Sequence, residues 1–323
     1  MRIVVALAAA LAACATAPRP TGAPWQAALG RDHPLTGRIW NVAAERFLDE
    51  PALISRLVAA RFALLGEKHD HPDHHRLQAR LLRALIDAGR RPAVAFEMLT
   101  PDQTPALARH LAASPRDAAG LGDAVGWKDS GWPAWSMYQP IAQAALDAGL
   151  PIVAANVPTA TARALMTGAA AAPPALAARF GLDRALAPEV EAAMAAEMRD
   201  AHCGHADSRM VASMITAQRV RDATMAAALL DTGADGAVLI AGTGHARTDR
   251  GVPAYLRVAQ PAAPIVSVAF LEVRDDAPAP GDYAARLGAA RLPFDFAWFT
   301  PRVDDVDPCE TFRRELERLR DRR

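Results

Sequence analysis

The densest group of reactive side chains in this sequence lies at residues 66–75, which read Gly-Glu-Lys-His-Asp-His-Pro-Asp-His-His. Four of the nine histidines of the chain fall here, and imidazole and carboxylate groups together bind metals or transfer protons near neutral pH. Pro72 favours the first turn of a helix, so we expect Glu67 and His69 on the preceding loop and His74 on the helix. The segment is therefore the first candidate for a ligand or catalytic site.

The elements that must position these residues follow from the apolar pattern. Stretches with helical periodicity separate the apolar runs, and such alternation favours a parallel sheet covered by helices. The stretch 159–214 is alanine-rich and helical in pattern, so it interrupts the alternation. The expected fold class is α/β, a mostly parallel sheet flanked by helices with a smaller helical insertion domain. The runs predicted as buried strands are 62–65, 93–96, 152–155, 237–241 and 265–270.

Polar side chains follow several of these strands at the point where each strand ends. Glu67 follows the first strand, Glu97 the second and Asn156 the third, while Gly242-Thr243-Gly244-His245 and Arg247 follow the fourth. Ligands of open parallel sheets bind at the carboxyl ends of the strands, so these residues are expected to converge on one edge. The alternative is that they only satisfy backbone groups at the strand ends.

A second group of candidates lies on a predicted helix further along the chain. Gln218, Arg221 and Asp222 share one helical face by their spacing, and the guanidinium could reach a carboxylate or a propionate. An Arg–Asp pair inside the helical packing explains the same spacing equally well. His202 and His205 are candidate ligands, but their spacing does not define a zinc site.

The first residues of the chain have the pattern of a bacterial lipoprotein signal. Arg2 gives a positive start, residues 3–11 are apolar but too short to span a bilayer, and Cys14 follows two alanines. We expect Cys14 to be lipidated after cleavage, and Ala15 to favour the outer membrane over retention at an inner membrane. The predicted location is an outer-membrane lipoprotein that faces the periplasm. The alternative is an apolar start that has no targeting role.

Composition limits the remaining possibilities. The formal net charge is zero, so no nucleic-acid partner is expected, and 51% apolar residues are enough to fill a core. Beyond Cys14 only Cys203 and Cys309 remain, and in an oxidising compartment two such thiols pair; the alternative is a free buried cysteine.

The expected organisation is a signal peptide at 1–14, a flexible tether at 15–35, an α/β domain at 36–158 and 215–309, a helical insertion at 159–214 and a charged helix at 310–323.

Short elements spread over the chain form a set: Leu64-Leu65-Gly66-Glu67-x-His69-Asp70, His74-His75-x-x-Gln78, Phe96-Glu97-Met98, Trp135-x-x-Tyr138-x-Pro140, Ala154-Ala155-Asn156, His202-Cys203-Gly204, Ala217-Gln218-x-x-Arg221-Asp222 and Gly242-x-Gly244-His245. This set resembles the ChaN family of haem-binding lipoproteins. The resemblance covers residues 64–309. It implies haem as cofactor and a part in iron acquisition beside outer-membrane haem uptake machinery. The sequence leaves open whether the working unit is a homodimer.

The resemblance also implies tyrosine ligation of the haem iron, and Tyr138 in the matching element is the choice, with an amphipathic core tyrosine as the alternative. Two Gly-x-x-His elements, Gly66 to His69 and Gly242 to His245, resemble the wider Tiki and TraB grouping as well, which implies a second hypothesis, a metal-dependent hydrolase or protease. In that case His69, His245, Glu67 and Glu97 hold zinc, manganese or iron, and Glu67 or Glu97 acts as the base. The candidate haem-binding residues are Glu67, His69, His74, His75, Glu97, Tyr138, Asn156, His202, Gln218, Arg221, His245 and Arg247.

Overall fold

The structure is a computed structural model that describes residues 24–320. The predicted lipidation site at Cys14 lies outside these residues. Eight described strands form one sheet in the order β2-β1-β8-β7-β3-β6-β4-β5. The strands are β1 (Ile39–Asn41), β2 (Arg46–Leu48), β3 (Phe62–Glu67), β4 (Ala93–Phe96), β5 (Ile152–Ala154), β6 (Ala237–Gly242), β7 (Ile265–Glu272) and β8 (Phe296–Thr300).

Twelve described α-helices accompany the sheet, and most of them lie between consecutive strands. They are α1 (Glu50–Ala59), α2 (Pro72–Asp87), α3 (Thr104–Ala113), α4 (Ala118–Ala124), α5 (Trp135–Asp147), α6 (Thr159–Met166), α7 (Pro174–Phe180), α8 (Pro188–Ala201), α9 (Ser208–Leu230), α10 (Val252–Ala259), α11 (Asp282–Arg286) and α12 (Pro308–Arg320). Among the residues described, no helix has both the length and the apolar composition needed to cross a membrane.

The predicted α/β class is confirmed, because the sheet is mostly parallel and has helices on both faces. From β8 to β5 every neighbouring pair runs parallel, and the antiparallel pairs are those of β1 with β2 and with β8. All residues of β3, β4 and β6 are buried, which explains why their sequences are apolar throughout rather than alternating. One core lies between the sheet and α1–α5, and a second between the sheet and α6, α7, α9 and α10.

Three strands lie beyond the five that the apolar runs predict. Strand β8 extends the parallel part of the sheet next to β7, and β1 and β2 add an antiparallel edge. Strands β1 and β2 have three residues each and are only partly buried, so they carry too few residues for a periodic signal. The sequence of β8, Phe-Ala-Trp-Phe-Thr, is buried throughout and aromatic.

The segment predicted as a flexible tether packs on the domain where it is described. The buried carboxylate of Asp73 accepts hydrogen bonds from the backbone N–H groups of Gln26 (3.0 Å) and Ala27 (2.9 Å). Ala27 and Leu35 are buried. Residues 24–35 therefore form part of the folded domain.

The stretch 159–214 contains α6, α7, α8 and the start of α9, and α9 continues to Leu230, so the boundary predicted at 214 falls inside one helix. Met194, Val211 and Met214 belong to a small separate core between α8 and α9. The predicted disulfide is confirmed, because Cys203 and Cys309 are joined and connect the turn after α8 to the start of α12.

Candidate functional site

The carboxyl ends of the central parallel strands bring distant residues together. Glu67 is the last residue of β3 and pairs in register with Gly242, the last residue of β6. Glu97 follows β4, and its backbone N–H donates to the Ile240 carbonyl of β6 at 3.0 Å. Because β6 lies between β3 and β4, Glu67 and Glu97 lie on either side of the turn that begins at Gly242. The expected convergence at one edge is present.

Glu67 holds three side chains at the end of β3. Its Oε1 lies 2.9 Å from His69 Nδ1 and accepts a hydrogen bond from the Tyr138 hydroxyl at 2.8 Å, while its Oε2 lies 3.1 Å from His75 Nδ1. Burial raises the pKa of a carboxyl, but the imidazoles of His75 and His69 outweigh this effect and lower the pKa of Glu67. Glu67 is therefore an ionised carboxylate in a buried position.

Glu97 is the second buried carboxylate of the site. Its Oε1 accepts from Arg221 Nη2 at 2.5 Å and lies 3.1 Å from His245 Nε2, and its Oε2 accepts from the Gly242 N–H at 2.7 Å. Burial raises the pKa, but His245 and Arg221 together hold the pKa of Glu97 far below its usual range. Two cationic partners and a backbone donor thus stabilise the charged form.

His245 lies between two carboxylates. Its Nδ1 is 2.6 Å from Asp222 Oδ1 and 3.1 Å from Gln218 Nε2, and its Nε2 faces Glu97. Burial alone would lower its pKa, but Glu97 and Asp222 raise the pKa of His245 to about 9. Both ring nitrogens face carboxylate oxygens, so the ring is an imidazolium near neutral pH.

Arg221 connects the helix α9 to the strand ends. Its Nε donates to Asn156 Oδ1 at 3.1 Å, and Asn156 Nδ2 donates to the Glu97 carbonyl at 2.9 Å. The Arg221 side chain keeps 25% of its surface exposed, whereas that of Glu97 keeps 2%. The guanidinium therefore links the buried network to the surface.

His69 is the imidazole of this cluster that is open to solvent, with 33% of its side chain exposed. Burial lowers its pKa, but the hydrogen bond to Glu67 and the charge of Glu97 raise the pKa of His69 overall. Its Nε2 lies 3.9 Å from Glu97 Oε2, beyond hydrogen-bonding distance, and a Cβ added at Gly242 would lie only 2.9 Å from it. The absence of a side chain at position 242 therefore keeps open the space in front of His69 Nε2.

The other predicted histidines of the 66–75 segment point inward. His75 Nε2 lies 2.8 Å from the His69 carbonyl, which fixes the loop, and the contact with Glu67 helps to raise the pKa of His75 although burial opposes this. His74 Nδ1 accepts from the Lys68 N–H at 2.9 Å. Complete burial holds the pKa of His74 well below its usual value, so this ring is neutral.

Tyr138 lies on α5 and is fully buried, with its hydroxyl on Glu67. Burial and the charge of Glu67 raise the pKa of Tyr138 far above its usual value. An iron ligand needs an accessible oxygen that ionises readily, and Tyr138 has neither property. Its contacts make it a positioning residue for Glu67, and the predicted ligation by Tyr138 would require a rearrangement of this packing.

Two predicted residues lie apart from the cluster in their contacts. Arg247 is buried and pairs with Asp249 (2.7 Å) and with the Leu287 carbonyl (2.7 Å). His202 Nδ1 lies 2.8 Å from the Met198 carbonyl at the end of α8. Among residues 24–320, neither side chain hydrogen-bonds to Glu67, Glu97 or His245, so the structure does not join them to the edge site.

Two residues of the site could not be identified from the sequence. Thr243 donates from both its N–H (2.8 Å) and its hydroxyl (3.0 Å) to the Glu67 carbonyl, and this fixes the turn after β6. Trp132 lies edge-on to His69 with ring centroids 4.8 Å apart. A threonine between two glycines and a tryptophan in a loop are common features, and only the folded arrangement shows their contacts.

Within residues 24–320, no group of three or more His, Cys, Asp or Glu side chains has the arrangement of a metal site.

Fold and site together define an α/β protein with a buried network of carboxylates and imidazolium ions at the carboxyl edge of its parallel sheet. The family model described as haem-binding uptake, Tiki superfamily, ChaN matches residues 53–256. The chain therefore belongs to this haem-binding family, which confirms the resemblance. The matched residues include both carboxylates and His245.

One of two matching solved structures supports the fold. The structure titled "Cofacial heme binding to ChaN of Campylobacter jejuni" has 20% sequence identity and a TM-score of 0.64, and the match covers 80% of this chain and 95% of that one. A second structure, the type III effector HopBA1, has 12% identity and a TM-score of 0.41 over 77% of this chain and 91% of its own. No curated protein sequence matches significantly.

Proposed function

We propose that this protein binds haem at the carboxyl edge of its sheet, with His69 as the axial imidazole. The observation that carries the proposal is how the two ring nitrogens of His69 are hydrogen-bonded. Glu67 accepts a hydrogen bond from Nδ1 at 2.9 Å, while Nε2 has no hydrogen-bond partner among the described residues and faces the space above Gly242. A histidine ligand whose other ring nitrogen donates to a carboxylate is the usual arrangement at metal centres.

The donor set of the site fits haem. Haem, when bound, supplies an iron centre that takes imidazole nitrogen as an axial ligand and an apolar ring with two carboxylates. Trp132 gives an aromatic surface beside His69, and the partly exposed Arg221 gives a cation for a carboxylate. What the chain itself does is orient His69, because ionised Glu67 accepts a hydrogen bond from Nδ1 and leaves Nε2 as the nitrogen directed at the open space.

We further propose that haem binding serves haem or iron acquisition, on a protein that a lipid at Cys14 tethers to the outer membrane on the periplasmic side. Membership of a family described by haem-binding uptake supports the first part. The signal pattern at residues 1–14 supports the second. Partners would be the outer-membrane haem uptake machinery and, in a homodimer, a second copy of the chain.

A metal-dependent hydrolase remains the second candidate, and one observation favours it. Glu97 lies 3.1 Å from His245 Nε2 and 3.9 Å from His69 Nε2, so a carboxylate and two imidazoles of the predicted ligand set are already neighbours. A divalent ion would have to replace the protons that now join these groups. Such an ion would be zinc, manganese or iron.

The first prediction tests the role of His69. Haemin titrated into the protein should give a saturable Soret shift, and His69→Ala should weaken haemin binding by at least about tenfold, since the axial bond is lost. His110→Ala is the matched control, because His110 is a partly buried histidine on α3 that contacts Asp117. Circular dichroism and thermal unfolding confirm that each variant folds.

The outcomes separate the two candidates. A Soret shift that His69→Ala weakens and His110→Ala leaves unchanged supports haem binding at this edge. An unchanged titration in His69→Ala means that His69 is not the ligand. No shift in the parent protein, together with a stoichiometric divalent metal by elemental analysis and hydrolytic turnover, supports the hydrolase instead.

A further inference from the structure

A cavity of about 640 Å³ lies between α1, α2 and the first described residues, Pro24 and Trp25. Its walls combine apolar side chains, among them Ile54, Leu77 and Ala84, with both acidic and basic side chains. Such a lining does not select a ligand of one charge. The described part of the chain begins in the wall of this cavity, so the preceding residues of the same chain are the first candidate occupant.

The chain runs along α2 where it approaches the cavity. At the start of α2, the Asp73 carboxylate accepts from the N–H groups of Gln26 (3.0 Å) and Ala27 (2.9 Å). About one turn further along the helix, Arg76 Nη1 donates to the Pro24 carbonyl at 3.1 Å. Followed toward its N-terminus, the chain therefore advances along α2 in the direction of the C-terminal end of that helix.

That end of α2 carries an acidic side chain without a partner. Asp87 is the exposed last residue of α2, and no hydrogen bond or ion pair of residues 24–320 includes its carboxylate. A carboxylate is unfavourable at the C-terminal end of a helix, where the helix dipole is negative. Arg83, one turn earlier, donates to the Pro140 carbonyl at 3.3 Å. A cation from another part of the chain would therefore stabilise this end of the cavity.

The sequence before residue 24 supplies such a cation at the matching distance. Arg76 and Asp87 are eleven positions apart on α2, which corresponds to about 16 Å. A chain in the polyproline conformation rises about 3.1 Å per residue, so about five residues span this distance. The fifth residue before Pro24 is Arg19, which is the only charged residue of the stretch 15–23. Its neighbours on both sides are prolines, and proline favours this conformation.

We propose that residues 18–23 of this chain occupy the cavity in an extended conformation, with Arg19 paired to Asp87. The segment reads Pro-Arg-Pro-Thr-Gly-Ala, and its small side chains pack on the apolar wall at Ile54 and Ala84. Proline-rich segments suit such grooves because they lose little conformational entropy when they bind. The docking does not depend on haem binding.

The docked segment determines from which side of the molecule the N-terminus leaves. Arg90, just beyond α2, donates to the carbonyls of Ala60 (2.6 Å) and Asp235 (2.8 Å), which precede β3 and β6. The end of α2 therefore lies at the amino edge of the sheet. A lipid at Cys14 would anchor the protein on this side, and the carboxyl edge would face away from the membrane. This orientation, unlike the docking, rests on the proposed haem site and lipid anchor.

The experiment is thiol cross-linking in the full chain, purified in detergent micelles and carrying Cys14→Ser. The internal disulfide then leaves introduced cysteines as the only free thiols. The test pair is Ala17→Cys with Ala88→Cys, next to the proposed ion pair. The control pair is Ala17→Cys with Asp147→Cys, because Asp147 is the exposed last residue of the neighbouring helix α5. A short bis-maleimide joins the thiols, and mass spectrometry measures the rate.

We expect the test pair to cross-link within one molecule at least about tenfold faster than the control pair, because docking raises the effective concentration of the two thiols. Ala84→Phe fills the cavity and should reduce the rate of the test pair to that of the control pair. Ala52→Phe on the exposed side of α1 is its matched control and should leave the rate unchanged.

Reversing the charges tests the pairing of Arg19 with Asp87. Arg19→Glu should slow the cross-linking of the test pair about threefold, because repulsion replaces an attraction between surface charges. Adding Asp87→Arg should restore the rate. An unchanged rate in Arg19→Glu would contradict the pairing.

Three results would overturn the docking. They are equal rates for the test pair and the control pair, products that join two molecules instead of one, and an unchanged rate in a folded Ala84→Phe variant. The second result would mean that a second copy of the chain fills the cavity. If Ala84→Phe fails to fold, as thermal unfolding would show, the charge reversal decides the question. The haemin titration is a separate measurement, so failure here leaves the haem site unaffected.

Discussion

Gly242 shows at the scale of one residue how the site depends on a missing side chain. A Cβ at this position would lie 2.9 Å from His69 Nε2 and 3.5 Å from Glu97 Oε2. The backbone there is ordinary strand, so the requirement for glycine comes from space and not from conformation. The residue thus determines whether a ligand can approach the imidazole.

Gly242→Ala should therefore displace the His69 ring and weaken haemin binding by about tenfold, while the fold persists. The measurement is the Soret titration, with urea unfolding as the test of stability. Gly233→Ala is the matched control, because a Cβ there meets nothing within 4 Å and its φ is not positive. Equal haemin affinity in both variants would contradict the assignment of the space above Gly242 to the ligand.

The raised pKa of His245 predicts a pH dependence of stability. In the unfolded chain this pKa is near 6.5, and in the folded protein it is about 9, so the charged form stabilises the fold fully below pH 6.5. This contribution is lost as pH rises through about 9, since the ring then loses the proton that joins it to Glu97 and Asp222.

We expect the free energy of unfolding of the parent to decrease between pH 7 and pH 10 more steeply than that of His245→Gln. Urea unfolding at a series of pH values measures the free energy of unfolding of both proteins. Subtracting one profile from the other removes the effects of lysine and tyrosine titration, which the two proteins share. Parallel pH profiles of the two proteins would show that His245 does not titrate as the structure indicates.

The types and positions of the site residues could be predicted from the sequence, but their hydrogen-bond and packing partners could not. Glu67, Glu97 and His245 are identified by their place after buried strands, because every parallel strand delivers its carboxyl end to the same edge. The inward direction of His74 and the packing of Tyr138 depend on side-chain rotamers and on neighbours distant in sequence. A pattern of spacing contains neither kind of information.

At the scale of elements, the central strands of the sheet could be predicted. Strands β3, β4 and β6 are buried on both faces and read as continuous apolar runs, so their sequences identify them. The three-residue strands β1 and β2 exist because β8 offers an edge to pair with, which is a tertiary cause. Helix α9 passes the boundary expected at 214 because its second half packs in the core between the sheet and α6, α7, α9 and α10.

The disulfide links two elements that belong to different parts of the chain, the turn after α8 and the start of α12. Its sequence separation is 106 residues, and closing so long a loop lowers the entropy of the unfolded chain. Replacing Cys203 and Cys309 by serine should lower the free energy of unfolding by about 2–4 kcal/mol. Urea unfolding with and without a reductant measures this. A parent that loses no stability when reduced would contradict the expectation.

At the scale of the whole molecule, two regions with different chemistry lie at different places on the sheet. The carboxylate network lies at its carboxyl edge, and a cavity lined by Ile54, Leu77 and Arg83 lies between α1 and α2 on the face that carries α1–α5. The alternation of strands and helices was sufficient to predict the α/β class. It could not predict the cavity, because the cavity depends on how closely α1, α2 and the segment around Trp25 pack together.

The strand order also has a consequence for synthesis on the ribosome. Strand β6 occupies the place between β3 and β4, although it is made more than a hundred residues after both. A nascent chain that ends before Ala237 carries Glu67 and Glu97 on strands that have no common neighbour, and His245 is still to come. Contacts of such long range form late in folding. Competence for a ligand at this edge therefore arises only after synthesis has passed β6 and His245.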